Sequence, residues 1–379
     1  MIIIIIIESK GATVEFTAQL ISKGQLLPFT TKLSSERDFD MKRKSAYSII
    51  FSLLFSLSFI LSACTQQKEQ PSAEPAAAPT AAPLEEMSIK VAGPPSPPSL
   101  PILRMIESKA LGDSVTVDFQ VWESIDTLTA LANDKQVSFL ALPLNNAVVM
   151  YNKGMDLSLM NVNTWSVMGM VTTDPAVQGW ADLKGTTLYV PMKSSPVDYI
   201  TQTFLKQNGL EPGKDVTLQY TQLAEGAQLL LSGKASTIVS IQPQITAIQM
   251  KNDQVRSIVD YKKEWQQVTG LSTDLPNAGL ATKQSVIASQ PELVARFQEE
   301  YQKALQWTLD NPKEAAELAN KYFKLDAAVV EQAIPHMALD FASASDSREV
   351  LTTYYQTLMD YSKDSIGGKL PDEQFYYQP

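Results

Sequence analysis

From residue 88 to about residue 260 the chain repeats one device: a strand-length apolar run, a short break, then a helix-length segment. Some runs, such as 139–142, are apolar throughout, while 115–122 alternates polar and apolar residues. Continuous apolar runs suit strands covered on both faces, and alternation suits a strand with one wet face. A parallel or mixed sheet wrapped by helices satisfies both signals.

The first set predicts strands at 88–92, 115–122, 139–142 and 157–162, with helices at 100–111, 124–133 and 143–153. At Asn163-Thr164-Trp165 the pattern restarts. Strands follow at 167–172, 188–190, 216–220, 237–241 and 255–259, with a helical turn at 180–185 and helices at 196–208 and 222–231 and after Gln242-Pro243. Ser124 and Ser195 stand where N-caps belong, and Pro196 at a first helical position, where its missing N–H is harmless. Beyond residue 265 one more strand is expected at 278–281, then helices at 291–311, 312–322, 327–334 and 348–359.

That last segment is too short for a third lobe, so it is expected to return to the first, with Tyr376-Tyr377 packed there. The chain would cross near 163–166 and again near 261–275. This divides it into lobe 1 (87–163 with 266–379) and lobe 2 (164–265), with a ligand cleft between them.

The N-terminal part reads differently. Met41-Lys42-Arg43-Lys44, an apolar stretch at 48–60 broken only by serines, and Leu61-Ser62-Ala63-Cys64 form a secretory signal. The apolar stretch is shorter than the roughly 20 residues a membrane span needs. The Leu-Ser-Ala-Cys ending resembles a bacterial lipobox, whose cysteine is acylated, as with palmitate, and becomes the new N-terminus. On this reading 41–63 is a lipoprotein signal peptide and Cys64 the lipidation site. Residues 64–86 are a Pro/Ala-rich tether, and 1–40 an extension ahead of the true start. An ordinary signal peptide with an incidental cysteine is the alternative.

Cleavage before Cys64 would leave 24 Lys and Arg against 36 Asp and Glu. That acidity argues against a nucleic-acid partner and against electrostatic adsorption to anionic lipid. The sequence holds one cysteine and one histidine, His336. With Cys64 acylated, metal sites and Ser–His or Cys–His catalysis have almost no material. No metal, no cofactor and no enzymatic activity are expected, and His336 reads as structural.

In open α/β sheets, ligands bind outside the carboxyl ends of strands, where helix N-termini present unpaired N–H groups. That rule selects Gly93, Pro94, Pro95 and Ser96 in the first loop and Asn145 and Asn146 after the third strand. In the second lobe it selects Ser194 and Ser195, with Tyr199 in the helix that follows, and Gln242. Asn163 and Trp165 come from the crossing strand, and Trp122 from the end of the second strand. Each has a plainer alternative: capping for the serines, a rigid turn for 93–98, core packing for the aromatics. Amides, hydroxyls and aromatics suit a small, flat or weakly anionic organic molecule.

The order of several stretches resembles the substrate-binding lipoproteins of bacterial ABC importers, within the nitrate/sulfonate/taurine and thiamine-precursor group. They are Leu142-Pro143-Leu144-Asn145 with Tyr151-Asn152-Lys153-Gly154, Val162-Asn163-Thr164-Trp165, 180–190, Leu230-Leu231-Ser232-Gly233-Lys234 and 366–377. The resemblance implies the type II periplasmic-binding-protein fold, an α/β clamshell with a double crossover hinge. It implies a monomeric, lipid-anchored receptor outside the cytoplasm, on the periplasmic or cell-surface side, that closes on a solute and delivers it to permease and ATPase subunits. Where relatives often carry Glu-Pro, this chain has Gln242-Pro243-Gln244, which removes a carboxylate from the cleft. Two alternatives are an enzyme on the same fold and a sensory or adhesive lipoprotein with no transport role. A pyrimidine synthase of this kind would need iron-binding cysteines, and a menaquinone-pathway dehydratase would be cytoplasmic.

Overall fold

The computed structural model describes three strands within residues 2–34 and the chain from 86 to 378. Cys64, the signal segment and nearly all of the tether lie outside the described residues. The N-terminal unit holds β1 (Ile2–Lys10), β2 (Thr13–Ser22) and β3 (Gln25–Ser34), an antiparallel meander. The sequence pattern had suggested no elements there.

The second unit begins with β4 (Met87–Gly93), α1 (Leu100–Glu107), β5 (Val115–Val121), α2 (Ile125–Asn133), β6 (Val137–Pro143), α3 (Leu144–Asn152) and β7 (Ser158–Trp165). Then come β8 (Met168–Thr172), β9 (Thr187–Pro191), α4 (Pro196–Gln207), β10 (Thr217–Thr221), α5 (Leu223–Leu231), β11 (Thr237–Ile241), α6 (Gln244–Lys251) and β12 (Arg256–Val259). The rest is α7 (Tyr261–Thr269), β13 (Pro276–Thr282), α8 (Gln284–Ser289), α9 (Pro291–Asp310), α10 (Pro312–Phe323), α11 (Ala327–Ala333), β14 (Leu339–Ser343) and α12 (Arg348–Tyr361).

These strands form two sheets, ordered β14-β7-β13-β6-β4-β5 and β10-β9-β11-β8-β12. Burial follows position. Every residue of β7 is buried and β13 nearly so, while the edge strands β5 and β10 alternate, as expected for interior and half-wet strands. β13 is squeezed between β6 and β7. A Cβ on its Gly279 would lie 2.0 Å from the Asn161 carbonyl oxygen, so only glycine fits there. The β7–β13 ladder is irregular, and the Asn161 side chain patches it: Oδ1 accepts from Leu280 N–H at 3.3 Å and Asn163 Nδ2 at 3.0 Å.

The tail packs along the first sheet. Tyr377 N–H donates to Leu159 O at 2.8 Å, Ser158 Oγ donates to Gln374 O, and Asn152 Nδ2 donates to the carbonyls of Ile366 and Lys369. Arg348 pairs with Glu373 and sits over the Tyr376 ring. α12 also reaches the second lobe, where Tyr361 stacks on Tyr199 with centroids 5.2 Å apart.

Candidate functional site

β4, β5 and β6 run parallel, and β13 is antiparallel to both β6 and β7. β7 therefore ends, at Trp165, on the edge where the parallel strands end. In the second sheet β9, β10 and β11 are parallel, and antiparallel β8 pairs its first residue, Met168, with the last of β11, Ile241. β8 thus begins on the carboxyl edge of its own sheet. Only Ser166 and Val167 separate β7 from β8, a reach of about 10 Å from Trp165 to Met168. The two carboxyl edges consequently meet at one joint, from which their loops leave.

The joint is cross-braced. Trp165 N–H donates to Ala338 O at 3.0 Å, and Gln242 N–H to Val167 O at 2.9 Å. The returning chain is bonded to the outgoing one through Ser166 and Leu275.

On lobe 1, Gly93 and Pro94 are buried, with Pro95 and Ser96 half-buried. A Cβ on Gly93 would come within 2.3 Å of Ser99 Oγ, which is buried without a hydrogen-bond partner. Trp122 N–H donates to Gly93 O, and its indole N–H donates to Ala141 O at 3.1 Å, so this tryptophan ties three strand ends together. Asn145 and Asn146 are half-buried in the first turn of α3. Asn163 is fully buried and accepts from Thr164 Oγ1. Trp165 packs in the core and donates its indole N–H to Asp340 O at 2.9 Å.

On lobe 2, Ser195 is the N-cap of α4 and accepts from Asp198 N–H at 3.4 Å, while Ser194 is exposed with a left-handed φ of 63°. Met192, two residues earlier, is also left-handed at 56°. The buried Asp198 accepts from Ser194 N–H at 2.9 Å, Gln202 Nε2 at 2.8 Å and Tyr220 OH at 3.2 Å. Burial, aided by that carboxylate, pushes the Tyr220 phenol up to about 12, so it stays a donor. Lys193 lies over the Tyr220 ring at 5.3 Å. Gln242 uses its Oε1 to hold the Thr246 hydroxyl (2.8 Å) and backbone N–H (3.3 Å).

A shallow, open groove of about 230 Å³ lies between α6 and the tail, lined by Thr246, Gln249 and Met250 of α6 and by Gln332 and His336 of the tail. The three α6 residues share a helical face, a pattern visible in sequence. Their partners lie some ninety residues downstream, and no local signal joins the two. His336 is exposed and lines this groove. Asp198 was also missed, although Ser195-x-x-Asp198 is a capping pattern. Among the described residues, no group of three His, Cys, Asp or Glu could hold a metal, and no helix is long and apolar enough to cross a membrane.

A family model described as NMT1/THI5 like matches residues 158–315. An ABC transporter structure from Parabacteroides distasonis superposes with a TM-score of 0.67 at 20% identity, over 77% of this chain and 99% of its own. The fold is that of the two-lobed periplasmic binding proteins. The periplasmic aliphatic sulphonate binding protein SsuA from Escherichia coli gives 0.64 at 14% identity, over 77% of this chain and 92% of its own. The periplasmic nitrate-binding protein NrtA from Synechocystis PCC 6803 gives 0.53 at 12%, over 75% and 85%. No curated protein sequence matches.

Proposed function

We propose that the protein is the solute receptor of an ABC importer, lipid-anchored through Cys64 on the extracytoplasmic face of the membrane. It takes up a small organic or weakly anionic solute by lobe closure and passes it to the permease. The observation that carries this reading is the meeting of two carboxyl edges at a two-residue joint, which lets one solute touch both lobes. A ligand that bridges both lobes selects the closed arrangement by its differential affinity. The loops at Gly93–Ser96, Asn145–Asn146, Ser194–Ser195 and Gln242 line that space, with Trp122, Asn163, Trp165 and Tyr199 holding them in position. The likeness in fold to sulphonate- and nitrate-binding proteins supports the transport role.

A receptor fits better than an enzyme because the sole histidine, His336, bonds to no carboxylate among the described residues and lies on a groove of amides and a thioether. The direct test is thermal melting of the purified chain against sulphonates, nitrate, pyrimidines and aromatic acids. A cognate solute at a hundredfold excess over Kd should add about 2.7 kcal/mol; a flat response across all four classes would refute the receptor reading. The anchor is tested separately. Cys64→Ser should move the protein out of the membrane fraction with solute affinity unchanged, and retention there would refute lipidation.

A further inference from the structure

α12 belongs to the tail that packs along the first sheet, yet its last residue reaches the second. Tyr355 OH donates to Leu144 O at 3.3 Å and its ring meets Phe375 edge-on, which seats the middle of the helix on the first sheet's side. Tyr354 adds an edge-on contact to Trp265 of α7, 6.4 Å away. Tyr361 then stands on α4. Its ring stacks on Tyr199 with planes 19° apart, its hydroxyl accepts from Thr203 Oγ1 at 3.3 Å, and Lys206 Nζ lies 4.8 Å from its centroid. Tyr199, Thr203 and Lys206 share one face of α4. Beyond Tyr361 the chain turns back, and Ile366 O accepts from Asn152 Nδ2 on the first sheet's side. Tyr361 is a clasp at the tip of that excursion.

A second bridge lies on the opposite face of the second sheet. β11 and β12 are both antiparallel to β8 and so parallel to each other. In the order β10-β9-β11-β8-β12 the step from β9 to β10 runs one way, and the steps to β11 and β12 run the other. Crossovers of one hand therefore put α4 on one face and α5 and α6 on the other. The packing agrees: Val197, Ile200 and Phe204 of α4 lie in one core cluster, and Leu230 of α5 with Ile245 and Ile248 of α6 in another. From that other face α6 meets the tail across the open groove. With a bridge on each face, a rocking of the second sheet that tightens one bridge widens the other. The two are unequal. Stacked rings with a satisfied hydroxyl and a cation nearby resist separation. The groove is open, its Met250 is 42% exposed, and its amides can exchange partners with water at little net cost.

We propose that the Tyr361 clasp is the pivot of lobe movement, and that the groove between α6 and the tail is the gap this movement widens and narrows. Tyr361 is then a positioning residue. It holds α4, and with it Ser194 and Ser195, in a fixed relation to the first sheet while the opposite flank moves. The proposal rests on the lobe closure of the receptor reading; its test uses no solute, so the two can fail separately.

The experiment measures spin-label distance distributions in the purified full chain carrying Cys64→Ser, which removes its one native thiol. One label pair, Met250→Cys with Gln332→Cys, spans the groove. The other, Gln207→Cys with Lys363→Cys, flanks the clasp, and all four side chains are exposed. The groove pair is expected to give a distribution at least twice as broad as the clasp pair. A groove pair less than twice as broad overturns the pivot, and this arm changes nothing in the clasp. Adding Tyr361→Ala should broaden the clasp pair at least twofold, and Tyr361→Phe, which keeps the ring, should restore the narrow distribution. A clasp pair left narrow by Tyr361→Ala in a folded protein overturns the role of Tyr361. Broadening by Tyr361→Phe as large as that by Tyr361→Ala overturns the stacked ring as the clasp.

Discussion

Ser166 and Leu275 clasp the two chain crossings: Ser166 N–H donates to Leu275 O at 2.8 Å, and Leu275 N–H donates back to Ser166 Oγ at 3.2 Å. Ser166 adopts this with a left-handed φ of 34°, a conformation that glycine adopts at no steric cost. Ser166→Ala should lose the Oγ acceptor and destabilise the protein by about 0.5–1.5 kcal/mol. Ser166→Gly loses the same bond but relieves the backbone, so it should be the milder variant by about 1 kcal/mol. Urea unfolding of the pair checks the order; an alanine variant at least as stable as the glycine variant contradicts the strained clasp.

Two glycines should respond differently to a methyl group. In Gly93→Ala the new Cβ meets a side-chain oxygen, Ser99 Oγ, which has no hydrogen bond to lose. The cost should be about 1–3 kcal/mol and should shrink in the Gly93→Ala/Ser99→Ala double variant. In Gly279→Ala the Cβ meets the Asn161 backbone carbonyl, which no second substitution removes. Its cost should exceed that of Gly93→Ala, and denaturation of the three variants gives the comparison.

Trp165 separates packing from solute contact. Its indole is 6% exposed and bonded to Asp340 O, so Trp165→Ala should cost about 3–5 kcal/mol of stability. Trp165→Phe keeps a ring but loses the N–H, and should cost about 1 kcal/mol with solute affinity retained. If Trp165→Phe weakens solute binding tenfold while melting stays constant, the indole N–H itself serves the solute.

Stability should fall on the alkaline side. Burial first, then Asp372, Asp198 and Glu107 in turn, raises Tyr151, Tyr220 and Tyr322 to about 12 from an ordinary value of 10.0. The folded state therefore holds these phenolic protons more tightly than the unfolded chain. Their contribution is complete below pH 10 and is lost as pH rises from 10 toward 12. Melting temperature against pH, read beside tyrosinate absorbance, should show both changes in that window. A melting temperature that stays level to pH 12 rules this out.

Much of the fold was legible because hydrophobic period survives in each element taken alone. The strand over Thr237–Ile241 and the helices opening at Pro196, Pro291 and Pro312 lie where pattern and proline placed them. The strand ending at Trp165 runs three residues beyond the expected stop, because Asn163 and Thr164 bury their polar atoms in one another and so stay in the sheet. α7, α8 and β14 were missed. α7 carries two lysines and a glutamate among its nine residues, and β14 is a short half-exposed strand paired only with β7. The positions of the loops that follow the strands were legible because strand ends dictate them. The α6–His336 groove and the triple grip on Asp198 were not, since both depend on partners set only by tertiary packing.

The strand order of the first sheet also carries an instruction about time. β6 and β7 leave the ribosome early, but the strand that joins them, β13, follows only after the whole second lobe has been made. Until then the apolar faces of Phe139–Leu142 and Leu159–Val162 lack their shared neighbour, while the second sheet is already complete within 168–259. The later lobe in the chain can thus finish first, and the earlier one must wait for the C-terminal part. The first sheet therefore stays open between β6 and β7 until the last third of the chain arrives.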